Sequence, residues 1–212
     1  MPIERMTGNE TVRHGYDALD CRYDSVRETD GRDVDILDQF LMGLPGTTRI
    51  LDAGCGPGSP ILRHLSTTRT ALGLDFSRTQ LEIATQKAPH AHLVQGDMTS
   101  LPLDDSVLDA ITAYFTLIHV PFDEHQTVMN EFARVLGPRG KLLLSEGPDE
   151  WSGSNPDWLE AGVEMWWNIA GADTTRDQLR NAGFSITNEW EIGAQDKDNE
   201  HWVFFAAQLD NG

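Results

Sequence analysis

The stretch Leu51-Asp52-Ala53-Gly54-Cys55-Gly56-Pro57-Gly58 constrains this chain more than any other. Apolar Ile50 and Leu51 lead into it, and Pro60-Ile61-Leu62 follows it. An apolar strand running into a nearly side-chain-free turn lets a ligand touch backbone N–H groups directly. The dinucleotide-binding form of such a turn reads G-x-G-x-x-G. Here the spacing is G-x-G-x-G, with Ser59 where the last glycine of that form would stand. Asp52 also precedes Gly54 by two residues, an odd neighbour for a pyrophosphate and a sensible one for an ammonium or other cation. Asp75 comes 19 positions after Gly56, the distance at which a carboxylate meets ribose hydroxyls in nucleoside-binding α/β folds. The loop therefore reads as a site for a nucleoside that carries a cation and no pyrophosphate.

The rest of the chain repeats the strand-then-helix pattern. Strand-like segments cover Arg49–Leu51, Thr70–Leu74, His92–Gln95, Val107–Ala113 and Lys141–Leu144, and the first three end near Asp52, Asp75 and Asp97. Ser77-Arg78-Thr79-Gln80 fits a capping box, with Leu81 and Ala84 turned inward. A helix opening at Asp123 places Val128, Phe132 and Val135 on one face, with Gly137-Pro138 as its stop. Thr175 to Asn181 predicts a short helix, and Phe184–Ile192 and His201–Leu209 predict two closing strands. The fold class expected is α/β: a Rossmann-like, seven-stranded, mostly parallel sheet with helices on both faces. Ligands in such sheets bind at the carboxyl ends of the strands.

Two regions fall outside the alternation. In residues 7–42, Val12, Tyr16, Leu19 and Tyr23 make a helical stripe, predicting an N-terminal helical lid. Residues 147–173 hold Trp151, Trp158, Trp166 and Trp167, four of the six tryptophans. There Asn155-Pro156 reads as a helix start, and Trp158, Gly162, Met165 and Trp166 as one apolar face. A helical insertion after strand five is thus expected. The whole of 1–212 reads as one domain.

Charge limits the partners. Acidic residues number 34 against 16 Lys plus Arg, a net −18, and only Lys87, Lys141 and Lys197 are lysines. Such a surface repels nucleic-acid phosphates and anionic lipid, so neither nucleic acid nor membrane is an expected partner. It also resembles the charge balance of a halophile's cytosolic protein. No apolar run approaches the ~18 residues that span a bilayer, and Met1 to Glu10 has no apolar signal region, so a cytoplasmic location is expected. Cys21 and Cys55 show no metal-ligand spacing; two reduced thiols and no metal site are expected.

The motifs in order resemble those of the class I S-adenosylmethionine-dependent methyltransferases. "ILDAGCGPG" is similar to the family's D-x-G-x-G-x-G motif, "LGLDFS" (72–77) to its ribose-acid motif, and "QGDMTSLP" (95–102) to its adenine motif. "LDAITAYFTLIHV" (108–120) resembles its fourth strand, and "EFARVLGPRGKLLLSE" (131–146) the helix, turn and strand after it. The resemblance implies S-adenosylmethionine as cofactor and S-adenosylhomocysteine as product. It would put Asp52, Gly54, Cys55 and Gly56 around the methionine moiety, with Tyr114 beside it. Asp75 would hold the ribose hydroxyls, Phe76 and Met98 would pack on adenine, and Asp97 would accept from its amino group. Ordinary core packing is the alternative for Phe76 and Met98. His119 would lie on the substrate side as the candidate catalytic base, with His14 as a second; a satisfied, partly buried histidine is the alternative.

The implied reaction is in-line transfer of the sulfonium methyl to a small-molecule acceptor. The N-P-P-[YF]-type motif of base and glutamine methylation is missing, because strand four ends in Tyr114-Phe115-Thr116-Leu117. Tyr16, Tyr23, Trp166 and Trp167 are candidate acceptor-site residues, with simple helix packing or a satellite core as their alternative. A non-catalytic S-adenosylmethionine-binding regulator is the rival reading. A nicotinamide-dependent oxidoreductase is a weaker one, opposed by the loop spacing and by Asp52. Neither the acceptor atom nor the oligomeric state is written in these motifs.

Overall fold

The computed structural model describes residues 8–19, 31–193 and 201–210. In chain order the elements are α1 (Gly8–Leu19), α2 (Arg32–Leu41), β1 (Arg49–Ala53), α3 (Ile61–Thr68), β2 (Thr70–Asp75), α4 (Arg78–Lys87), β3 (His92–Gln95) and β4 (Leu108–Ala113). They continue with α5 (His125–Val135), β5 (Leu136–Glu146), β6 (Trp151–Asn155), β7 (Met165–Ile169), α6 (Ala172–Asn181), β8 (Phe184–Ile192) and β9 (Trp202–Leu209). Seven strands form one sheet in the order β3-β2-β1-β4-β5-β9-β8. β1 to β5 pair in parallel, and β9 and β8 close the sheet antiparallel.

Apolar residues on both faces of the central strands explain why this sheet is covered twice. Side chains alternate across a strand, and here both sets are apolar, as in sheets with helices on each face. Leu51, Ile111, Leu142, Leu144 and Phe205 enter a core with Val128, Phe132 and Val135 of α5 and Leu179 of α6. Their neighbours Ile50, Ala110, Leu143 and Phe204 enter the opposite core, with Leu37 and Phe40 of α2 and Leu62 and Leu65 of α3. Each large apolar side chain so buried contributes about 1.5–3 kcal/mol. The same register sets Asp52 beside Gly73 and Thr112 and Asp75 beside Gln95, so the acids gather at one edge of the sheet.

The region after β5 corrects the expectation of a helical insertion. Residues 151–169 form an antiparallel hairpin, β6 with β7, around a single 3-10 turn at Trp158–Glu160. Asn155 does not cap a helix: its Oδ1 accepts from Asp157 N–H at 2.9 Å, a turn closed upon itself. Asp157 Oδ1 then accepts from Gly162 N–H at 2.6 Å, and Leu159, Glu160 and Gly162 all take positive φ. That backbone cannot continue a right-handed helix. Met165-Trp166-Trp167 obeys a period of two instead: Met165 is buried, Trp166 is 40 % exposed, and Trp167 packs inward. Aromatic residues suit a half-buried strand.

Smaller corrections concern helix ends. Ser77 Oγ caps α4 by accepting from Gln80 N–H at 3.2 Å, but Gln80 does not return the bond; its amide donates to Tyr16 O at 3.0 Å. α5 stops because Leu136 is already extended at φ −76°, ψ 136° and starts β5, so Gly137 is no left-handed cap. Of the N-terminal stripe, Val12, Tyr16 and Leu19 are buried on α1. Tyr23 and Cys21 lie outside the described residues.

Candidate functional site

The glycine turn after β1 is folded back on the sheet. Gly54 and Cys55 N–H both donate to Leu74 O, at 2.7 and 2.9 Å. Gly54 has φ +71°, and a Cβ there would collide with Thr116 Oγ1 and lie 2.6 Å from Thr116 Cβ. Glycine is therefore required twice at this position, by conformation and by space.

Asp75 stands at the end of β2 with 6 % exposure. Its Oδ2 accepts from Gly56 N–H and its Oδ1 from Ser77 N–H, each at 2.8 Å. Burial pushes its pKa up to about 6, against the pull of those two N–H groups. A carboxylate has roughly four acceptor positions, so Asp75 retains capacity for a donor arriving from the cleft.

That cleft encloses about 60 Å³. Gly54, Gly56, Asp75, Phe76, Asp97, Met98 and Tyr114 line it, together with Tyr16 and His119. Most residues singled out in the sequence thus meet at one place. Asp97 Oδ1 accepts from Thr99 N–H and Oγ1 at 2.8 Å, which fixes the loop after β3. Tyr114 is held by its hydroxyl, which donates to Asp33 O at 3.1 Å.

Others lie elsewhere. Asp52 is 3 % exposed and accepts from Thr112 Oγ1 at 2.8 Å, behind the turn and off the cleft lining. Cys55 is buried in the α2–α3 core, where burial and the nearby Asp75 and Asp52 carboxylates raise its thiol pKa. Trp166 and Trp167 do not line the cleft. Trp167 joins a satellite core with Val12, Tyr16, Leu19, Met165, Phe76 and Trp158. Tyr16 and Phe76 belong to both the cleft and this core.

α1 lies across the cleft and is fastened on both sides. Toward β2, Asp17 accepts from Ser77 Oγ at 2.6 Å, and Gln80 holds Tyr16 O. Toward β4, Asn9 donates to Glu124 at 3.1 Å, and Tyr16 Oη lies 2.9 Å from His119 Nε2. A Cβ on Gly15 would lie 2.9 Å from Met165 Cε, so glycine is what lets α1 sit down on the hairpin.

The His119 ring is fixed by two partners. Its Nδ1 lies 2.9 Å from Trp166 O, and a carbonyl only accepts, so Nδ1 carries the hydrogen. Burial drives the imidazole pKa down to about 4, leaving the ring neutral. Nε2 is then an acceptor, and the Tyr16 hydroxyl is the donor.

The lining is completed by Asn9, Leu74, Gly96, Phe115, Thr116 and Val120, none of which was named individually from the sequence. Thr116 left one readable trace, the enforced glycine at position 54 that faces it. Asn9 left none.

Residues 51–144 match the family model described as a methyltransferase domain. The demethylmenaquinone methyltransferase of Bacillus licheniformis is 35 % identical over 112 residues, 50 % of this chain and 47 % of that protein. The chain spans about half the length of the curated relatives it matches. Among solved structures, an S-adenosylmethionine-dependent methyltransferase from Methanosarcina mazei superposes with a TM-score of 0.73 at 20 % identity, covering 84 % of this chain and 98 % of that one. The [4+2]-cyclase SpnF superposes with 0.75 at 21 % identity, covering 100 % and 99 %. At these identities the structural likeness establishes the fold alone.

Proposed function

We propose that this chain, whose residues 51–144 match a methyltransferase domain, is a class I S-adenosylmethionine-dependent methyltransferase and transfers a methyl group in line to a small-molecule acceptor in the cleft over Gly54 and Gly56. The observation that carries this reading is Asp75. It is a buried carboxylate at the end of β2, anchored by two backbone N–H groups and facing the cleft. It fits a vicinal pair of ribose hydroxyls. Gly54 and Gly56 leave their backbone bare for the methionine moiety, and Phe76, Met98 and Asp97 flank the place for adenine. Asp52 acts from behind, through the turn it supports.

When bound, the cofactor supplies a methyl already activated on a sulfonium. What remains for the chain is to orient a nucleophile toward it and to exclude water. A proton must be received only if the nucleophile carries one. α1, fastened across the cleft, is suited to exclude water, and His119 and Tyr16 line the acceptor end. A small-molecule acceptor agrees with the activity for which the Bacillus relative is named and with the Tyr114-Phe115-Thr116-Leu117 end of β4. The net charge of −18 argues against a nucleic-acid or anionic-membrane partner.

A second reading has one observation in its favour. The full-length likeness to SpnF, named a [4+2]-cyclase, indicates that this fold also hosts other chemistry. Transfer of tritiated methyl from S-adenosylmethionine to components of a metabolite extract separates the two. Labelled product supports the methyltransferase. Tight cofactor binding with no labelled product supports the alternative.

A further inference from the structure

We propose that Arg13 of α1 recognises the purine of the cofactor, in an outer cavity that adjoins the cleft at Phe76 and Asp97. The proposal rests on the methyltransferase reading above and makes α1 part of the cofactor site.

The enclosed cleft is too small to hold the cofactor by itself. Its volume of about 60 Å³ leaves room for a few waters at roughly 30 Å³ each, whereas sites for small molecules run from about 300 Å³ upward. A second cavity of about 330 Å³ opens beside it. The two share Asn9, Phe76, Gly96 and Asp97 as walls, so a ligand longer than the enclosed part extends into the outer one. The outer part lies at the ends of β2 and β3, where Phe76 and Asp97 flank the place for adenine.

α1 supplies the facing wall. Asn9, Arg13 and Tyr16 stand at i, i+4 and i+7, on one face of a helix. Asn9 borders both parts, Tyr16 the enclosed one and Arg13 the outer one. Arg13 is exposed, and among the described residues no hydrogen bond or ion pair engages its guanidinium. It is the sole lysine or arginine lining either part, in a chain where acidic residues outnumber those cations by 34 to 16.

The surroundings of Arg13 fit a neutral base and not an anion. Glu10 and Asp97 border the same space, so a phosphate or carboxylate would meet them too. The acceptors for an amino group are already in place. Gln95 Nε2 donates to Phe76 O at 3.0 Å, which leaves Gln95 Oε1. Asp97 gives Oδ1 to Thr99, which leaves Oδ2. A guanidinium only donates, so it suits the ring nitrogen beside that amino group. Adenine presents this combination, the N6 amino group next to N7. Phe76 adds the flat apolar wall on which a base can lie.

The test is calorimetric titration of wild type and Arg13→Ala with two probes: S-adenosylhomocysteine, and methylthioadenosine, which keeps purine and ribose but lacks the amino acid. Arg13→Ala should weaken both about 10-fold, the low end for a hydrogen bond to a charged group. Nitrogen-15 spectra of arginine-labelled wild type give a readout that a merely structural role would not move. The guanidinium signal that Arg13→Ala deletes should shift when either probe is added. Four results would overturn the proposal while sparing the methyltransferase reading. They are an unchanged Kd for S-adenosylhomocysteine in the variant, a loss for S-adenosylhomocysteine but not for methylthioadenosine, a guanidinium signal that methylthioadenosine leaves in place, and a wild type that binds the first probe but not the second. No binding of S-adenosylhomocysteine to wild type would remove both.

Discussion

On the β1–β3 side of the cleft, the features that matter are backbone features: Gly54 at φ +71°, the N–H groups of Gly56 and Ser77, and Asp75 fixed by them. On the other side, α1 and the β6–β7 hairpin meet through side chains: Tyr16, His119, Trp158 and Trp167 packed edge to face. The first side is inherited from the sheet, because three strand ends and one turn already define it. The second is assembled from three segments far apart in sequence, and nothing in the sheet dictates it. A site cut into backbone tolerates almost no change at a few positions. A site made by packing distributes its tolerance over many.

The sharpest way to break this contrast is Gly54→Ala. The new methyl meets Thr116 and the residue keeps a positive φ. Strain of about 1–3 kcal/mol from the backbone alone, added to the overlap, should abolish cofactor binding in calorimetry while far-ultraviolet circular dichroism still reports the sheet. Retained affinity would show that the turn does not set the site.

Next in size is Asp75→Ala, expected to weaken cofactor binding by about 2–4 kcal/mol through lost charge-assisted hydrogen bonds. Because the wild-type Asp75 pKa is raised to about 6, affinity should also fall as pH drops from 7 through 6, where the carboxyl protonates and loses acceptor capacity. Titrations at pH 5.5 and 7.5 check this. A flat profile would mean that the ionised form is not the one that binds.

Glu146 sits at the joint between the two sides, at the end of β5. It is fully buried; Oε1 accepts from Gly147 N–H at 2.8 Å, and burial lifts its pKa to about 7. A raised carboxyl pKa means that its stability contribution is complete at low pH and is lost as pH rises toward and past 7. Glu146→Gln should therefore gain about 2–3 kcal/mol over wild type at pH 8.5 and under about 1 kcal/mol at pH 5. Melts at the two pH values read the difference; equal shifts at both would contradict it.

Trp167→Ala tests the packed side. Trp167 is half-buried, so a loss of about 2 kcal/mol in stability is expected, below the 3–5 usual for a full truncation. The Kd for S-adenosylhomocysteine should move less than threefold. A large loss of cofactor affinity would show that the two sides are not separable.

The smallest effect is that of salt. At −18, stability should rise in molar KCl as the screening length falls from about 10 Å to about 3 Å. At 2–4 °C per kcal/mol for this size, a rise of about 5 °C is expected between 0.1 and 2 M KCl. Part of that acidic charge is not free surface. Asp33 is 7 % exposed, and Asp38 pairs with His64 at 2.7 Å. Potassium glutamate controls for salting-out, and a flat or falling melting point would exclude the halophile reading.

The same contrast explains what was legible in the sequence. β1 to β4, their apolar doubling and the acids at their ends were readable because period, glycine spacing and strand-end position are local. Seven of the nine cofactor candidates line the cleft, including Asp75 and Asp97. Asp52 falls off the cleft lining because its carboxylate, matched in the sequence to a ligand charge, accepts from Thr112 on the neighbouring strand. The hairpin was misread because Asn-Pro starts both helices and turns, and only Asp157 folding back onto Gly162 decides between them. The pairing of Tyr16 with His119 spans 103 residues, and no local signal carries such a contact.

The most direct measurement is calorimetric titration of wild type and Asp75→Ala with S-adenosylhomocysteine, with NAD as control. The account predicts one-site binding to wild type, a loss of about 30- to 1,000-fold in the variant, equivalent to about 2–4 kcal/mol, and no heat with NAD. No binding to wild type, equal binding to both proteins, or tight NAD binding would contradict it.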